Sequence, residues 1–258
     1  FHVDACWGGS ALLADDYRGL FKGISKADSV SIDAHKLLYC PMSMGLILFR
    51  NEKDLNTIRH SSKYIIRRNS VDMGRFTVEG SRPFAALKPW ASLKIIGREG
   101  YGILMKQAQK ATNNLLGIIN RCGNFEALND PDLFILIYRF LPETLKNHMA
   151  RLEETVEVQK GAAKKESERK IRKINLLANG LNIKLHKALR RDDTTFVSRT
   201  TLESTRYRPQ NIVVLRAVLM NPLINRKVLE EIVETQNRIG LQLWKEFEPA
   251  YRKIINGK

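Results

Sequence analysis

The sequence predicts an α/β fold that offers its chemistry at the ends of sheet strands. Three observations predict it. Two short runs, His2-Val3-Asp4-Ala5-Cys6 and Ser29-Val30-Ser31-Ile32-Asp33, end in reactive side chains: a carboxylate ahead of Gly8-Gly9 in the first, His35-Lys36 in the second. Helical or irregular segments separate the early strands, as crossover connections do. After Gly123-Asn124, further strands and helical stretches describe a second, smaller α/β domain.

Phe1–Cys6 reads as the first strand. Asp15–Lys22 reads as a short helix whose acidic start suits a helix N-terminus. Ser29–Asp33 is largely alternating and β-branched, a strand pattern. Leu46–Phe49 is a continuous apolar run, as in a strand buried on both faces. His60–Arg82 is polar, irregular and too long for an ordinary connector, and such loops in compact domains are usually functional. Pro83 suits a first helical turn. Phe84, Leu87, Trp90, Ala91 and Ile95 follow at helical spacing, with Pro89 requiring a kink or an early boundary. Glu99–Asn120 forms a second helix with one broad apolar face. Strands are expected at Phe125–Leu128 and Leu133–Phe140, joined by Asn129-Asp130-Pro131. Leu145–Arg191 reads as helical, with breaks at Gly161 and Gly180. Strands at Thr195–Thr201 and Ile212–Met220, a stop at Asn221-Pro222 and a helix from about Asn225 to Phe247 complete the chain. The predicted organisation is a first domain over 1–100, a bridging helix over 101–122 and a small domain over 123–258. Because the first strand pattern starts at Phe1 without a turn or cap, the chain is expected to be the C-terminal portion of a longer polypeptide.

Composition narrows the function. Of 258 residues 43% are hydrophobic, enough for a real core. No apolar run is long enough to span a membrane, and no signal peptide is visible. Cys6, Cys40 and Cys122 are odd in number and form no CxxC, which fits a reducing cytoplasm. The net charge of +16 raises the question of nucleic acid. Much of the excess lies between Lys160 and Arg191, where basic residues outnumber acids eleven to two. No Arg-Gly repeat, zinc finger or aromatic stacking platform accompanies it, so a solvated helix face is the preferred reading. There is no P-loop, zinc-ligand spacing or GxSxG.

A buried carboxylate and a buried lysine on neighbouring strands suit a cofactor with a basic ring nitrogen and an aldehyde, which is pyridoxal 5'-phosphate (PLP). The lysine amine forms the Schiff base, and the aspartate keeps the ring nitrogen protonated. Lys36 and Asp4 are those residues; the bland alternatives, a strand-end lysine and a strand-end cap, leave their pairing unexplained. Arg216, flanked by Val214, Leu215, Ala217 and Val218, is half-buried at best and needs an anion.

Phe1–Gly9 and Ala27–Lys36 resemble the cofactor site of the group II PLP-dependent amino-acid decarboxylases, which carry a His-Val-Asp-Ala-Ala segment and a later His-Lys. The resemblance implies a fold-type-I PLP-dependent transferase fold: the C-terminal part of the large mixed-sheet domain plus the small C-terminal domain. It implies that Lys36 binds PLP, that Asp4 pairs with the pyridinium nitrogen and that His35 contacts the phosphate. Cys6 stands where the family usually has an alanine beneath the ring; it is small enough to fit and is not read as a nucleophile. Tyr64, 28 residues beyond Lys36, resembles the lid tyrosine that protonates Cα after CO2 leaves. Gly80-Ser81-Arg82 resembles a segment whose arginine orients the site wall, although a structural salt bridge explains Arg82 equally. Arg216, in Leu215–Pro222, resembles the arginine that holds the substrate α-carboxylate.

Gly74–Gly102 and Thr195–Leu202 resemble a bacterial branch of the family, the PLP-type aspartate 1-decarboxylases, which make β-alanine. Glutamate and 2,4-diaminobutyrate remain open as substrates. A homodimer with active sites at its interface is implied. Two rivals stand beside this reading: a non-catalytic fragment lacking the family's upstream phosphate loop and ring-stacking histidine, and a basic nucleic-acid binder.

Overall fold

The structure is a computed structural model that describes residues 1–62, 64, 66–67, 70–204 and 210–256. Two compact units divide the chain, Phe1–Gln107 and Ala108–Lys258.

In the first unit, β1 (His2–Asp4), β2 (Ser29–Asp33) and β3 (Gly45–Phe49) form a mixed sheet in that order. β1 runs parallel to β2, with Asp4 opposite Ser31. β3 runs antiparallel to β2, with Gly45 opposite Asp33. Three 3-10 helices, Gly9–Leu13, Asp15–Phe21 and Ile24–Lys26, cross between the parallel strands. The helix expected at Asp15–Lys22 is therefore 3-10: a short segment interrupted by Gly19 is a poor α-helix nucleus. Gly9 packs so closely on the sheet that a Cβ there would lie 2.7 Å from Cγ1 of Ile32.

β3 departs from expectation. Its apolar run predicts burial on both faces, yet Ile47 is 57% and Leu48 54% exposed. The strand pairs with β2 alone among the described residues, and an apolar run is covered on both faces only where layers pack on both. The segment after β2 is firmly held: Ala34, Leu37, Leu38 and Cys40 are buried. Tyr101, itself buried, donates its hydroxyl to the Leu38 carbonyl at 3.0 Å.

The expected loop at His60–Arg82 contains one short 3-10 turn, Met73–Phe76; its positions 63, 65, 68 and 69 lie outside the described residues. Helix α1 (Leu87–Arg121) starts later than Pro83. That start leaves Pro89 in the first turn, where a missing N–H costs nothing. Gly97, with φ 65°, breaks α1 where the sequence separates two helices.

The second unit holds an antiparallel sheet of β4 (Phe125–Ala127), β5 (Ile135–Phe140), β6 (Ser198–Ser204) and β7 (Gln210–Val218), in the order β4-β5-β7-β6. Its helices are α2 (Glu143–Val158), α3 (Ala162–Asp192) and α4 (Arg226–Ile255). The strands come as two adjacent pairs, β4 with β5 and β6 with β7, with α2 and α3 between the pairs, and every pairing is antiparallel. Gly161, with φ 72°, separates α2 from α3 as expected. Gly180 does not break α3: it lies against Phe247, whose Cε1 a Cβ would approach to 3.2 Å. α4 is capped by Asn225, which accepts from Val228 N at 3.1 Å, and runs beyond Phe247 through Pro249.

α3 also stitches the sheet. The β5–β7 register extends from Ile135↔Val218 to Tyr138↔Leu215. At Phe140, the backbone N–H donates to Asn182 Oδ1 and the carbonyl accepts from Asn182 Nδ2, both at 2.9 Å. Asn179 does the same for Val213 N (2.7 Å) and Asn211 O (2.9 Å). Asn175 accepts from the fully buried Arg139 at 2.8 Å, whose Nε also meets Glu126 at 2.6 Å. Side-chain amides thus take backbone groups that no neighbouring strand reaches.

Candidate active site

Alternation along paired strands gathers the site. His2, Asp4 and Cys6 share one face of the first unit's sheet with Ser29, Ser31 and Asp33. His2 Nδ1 lies 2.8 Å from Ser29 Oγ, and its Nε2 lies 3.3 Å from Ser31 Oγ. The Cys6 thiol donates to Ser31 Oγ at 3.2 Å. Asp4 Oδ1 accepts from Cys6 N at 3.0 Å and from the Ser31 hydroxyl at 3.4 Å.

The Cys6 thiol and backbone N–H, Ser31 and the charge of Lys36 together hold the Asp4 carboxyl below its ordinary range. At Cys6 the Ser31 contact favours the thiolate. The Asp4 hydrogen bond, desolvation and the charges of Asp33 and Asp4 outweigh it and push the thiol up. Cys6 is therefore a neutral neighbour and not a nucleophile.

His35 and Lys36 sit in the turn that follows β2. Lys36 N donates to Asp33 O at 3.2 Å and Tyr39 N to Lys36 O at 2.9 Å. His35 Nδ1–H donates to Met44 O at 2.8 Å, which points Nε2 toward Asp33 Oδ2, 3.8 Å away. Lys36 Nζ meets the same Asp33 oxygen at 2.8 Å. That ammonium is the main reason the Asp33 carboxyl is held low. The expectation of a buried carboxylate and a buried lysine is corrected: Asp4 is exposed and the Lys36 side chain one-third exposed.

The structure thus brings Asp4, Cys6, His35 and Lys36 to one end of one sheet, with Ser31 and Asp33 between them. Tyr64 is 81% exposed and Arg82 is exposed; no hydrogen bond joins either to this cluster among the described residues. Arg216 belongs to the second unit. It lies near the end of β7, opposite Ile137 and Ser198, half-buried, with no side-chain ion pair among the described residues. Sequence reasoning missed Ser31 and Asp33. Asp33 had a local signal, an acid three positions before the lysine at a strand end, the spacing a turn brings together.

These residues fit PLP. An exposed, ionised carboxylate suits a pyridinium N–H, and a lysine amine on the adjacent strand end suits the aldehyde. Together they define a class: α/β proteins whose neighbouring strand ends present a carboxylate and a lysine, an arrangement able to hold an aldehyde cofactor.

Residues 1–141 match the family model described as the pyridoxal-dependent decarboxylase conserved domain. The chain belongs to that family, and PLP is the family's cofactor. It is 36% identical over 240 residues to an aspartate 1-decarboxylase of Aliivibrio fischeri, covering 93% of this chain and 41% of that protein. It is 33% identical over 153 residues to a cysteine sulfinic acid decarboxylase of Mus musculus, covering 57% of this chain and 31% of that one. Among solved structures, mouse CSAD superposes with a TM-score of 0.74 at 24% identity, over 93% of this chain and 45% of that chain. The fold-type-I expectation therefore holds, and the chain spans less than half the length of these relatives. No helix among the described residues is long and apolar enough to cross a membrane.

Proposed function

We propose that this chain carries the cofactor lysine of a PLP-dependent decarboxylase that removes the α-carboxylate of L-aspartate to give β-alanine. The observation that carries the substrate is the likeness to an aspartate 1-decarboxylase along 93% of the chain; the relatives named for diaminobutyrate and cysteine sulfinate are alike over 55% and 57%.

PLP, when bound, supplies an electron sink for the pair left at Cα as CO2 departs. The remaining work falls to this chain's side chains. Lys36 provides the amine that tethers the cofactor. Asp4, ionised at neutral pH, would hold the protonated ring nitrogen. Cys6, small and uncharged, would leave room for the ring, and His35 would hold the phosphate. Arg216, a guanidinium with no acid beside it among the described residues, takes the substrate carboxylate in a bidentate grip. Tyr64 returns a proton to Cα, and Arg82 shapes the wall of the site. The protein works as a homodimer in the cytoplasm, where Cys6, Cys40 and Cys122 remain free thiols.

The test is CO2 release from L-aspartate, L-glutamate, L-2,4-diaminobutyrate and cysteine sulfinate in the presence of PLP. Aspartate should be turned over at least about tenfold more efficiently than the others, a difference of roughly 1.4 kcal/mol in transition-state binding. Preference for another amino acid would refute the substrate; no release from any would refute the activity.

A further inference from the structure

Asp33 stands out because it occupies the one amine the site depends on. Its Oδ2 lies 2.8 Å from Lys36 Nζ. The arrangement is built rather than incidental. Asp33 N donates to the Cys6 carbonyl at 3.2 Å, and Asp33 O receives Lys36 N at 3.2 Å, so both ends of the pair are fixed by backbone. Across the sheet stands Gly45, where a Cβ would lie 3.3 Å from Asp33 Oδ1; the missing side chain leaves room for the carboxylate. His35 is turned toward Asp33 by its bond to Met44.

We propose that Asp33 is a positioning residue that seats the Lys36 amine whenever it is not bonded to a cofactor. Schiff-base formation joins the amine nitrogen to an aldehyde carbon and releases the aldehyde oxygen as water, which requires the nitrogen's lone pair. An amine held as an ion pair must first leave Asp33 and give its proton to solvent. Asp33 therefore slows loading of the empty site. The same carboxylate is the partner nearest the amine when a substrate amine displaces it. This rests on the reading of Lys36 as the cofactor lysine.

The experiment is trace acetylation of the cofactor-free 258-residue chain, with Lys36 and the exposed Lys22 quantified by peptide mass spectrometry. Lys36 in Asp33→Asn should react about two- to fivefold faster relative to Lys22, the range a partly exposed ion pair supports. Asp33→Glu, which keeps the charge, should stay near the unsubstituted chain. The absorbance band that forms on mixing with PLP should rise faster in Asp33→Asn by a similar factor. Should that variant fail to fold, added salt serves in the unsubstituted chain: it screens the pair, and the Lys36-to-Lys22 ratio should climb. Unchanged ratios in Asp33→Asn, or a ratio indifferent to salt, overturn the proposal. If the ratios shift while no band forms on Lys36 with PLP, the seat stands and the cofactor reading falls.

Discussion

Asp4 and Lys36 stand out in the sequence as candidates through residue type and local order, a carboxylate at one strand end and a lysine at the next, whereas the role of His35 rests on resemblance. Ser31 does not stand out, because its role depends on register, and Asp33 was passed over although its spacing to Lys36 is local. Ser31 reaches Asp4 only because β1 and β2 pair parallel with those two residues opposite, and Asp33 reaches Lys36 only through the turn after β2. Tyr64 and Arg82 rest on resemblance, and Arg216 on resemblance together with its apolar flanks.

Two histidines outside the site carry a pH consequence. Burial lowers the pKa of His148, aided by the charges of Lys170 and Arg151. Burial also lowers that of His186, with Arg199 and Arg190. His148 shares a hydrogen bond of 3.0 Å with Tyr251. Folding thus favours neutral rings, and the unfolded chain binds protons more readily below about pH 6.5. Their contribution is complete above that pH and is lost as pH falls toward the folded pKa values. The melting temperature should drop between pH 7.5 and 5.5, and drop less in a His148→Gln, His186→Gln double variant. Equal drops in the two proteins would contradict this.

At the scale of elements, periodicity found most strands and helices, and tertiary contacts decided the rest. Gly161 and Gly180 look alike in sequence. One sits at positive φ at the start of α3, between two helices; the other is held in α3 by its close approach to Phe247. β3 shows the converse failure. An apolar run reports what a strand prefers to contact, whereas its burial depends on which layers pack on it.

Gly240 is a further case that pattern did not reveal. It lies inside α4, where glycine costs about 1 kcal/mol relative to alanine, yet a Cβ there would come within 2.5 Å of Phe140 Cε2. Phe140 is fully buried and set edge-on to Phe125, with ring centroids 5.3 Å apart, so it has little room to yield. Gly240→Ala should therefore lower stability in denaturant melts by about 1–3 kcal/mol. A neutral or stabilising result would mean that helix and sheet separate freely there.

At the scale of the whole molecule, charge and exposed apolar surface are distributed differently. The basic run maps onto α3, where Arg169 pairs with Glu166 and Lys184 with Glu246, each at 2.8 Å. Such exposed pairs are what a solvated helix face makes. In the first unit Ile47, Leu48, Phe84, Trp90 and Ile95 stand exposed. Such residues mark surfaces suited to association, in keeping with the proposed dimer.

The claim on which the account turns is that the sheet end bearing Asp4 and Lys36 is a PLP site. The most direct test is an absorbance spectrum of the purified chain mixed with PLP, before and after borohydride, beside Lys36→Ala. The account predicts a Schiff-base band that borohydride abolishes, with the reduced cofactor recovered on the Lys36 peptide and no such adduct in the variant. A chain that forms no band, or one that forms it equally well without Lys36, would contradict it.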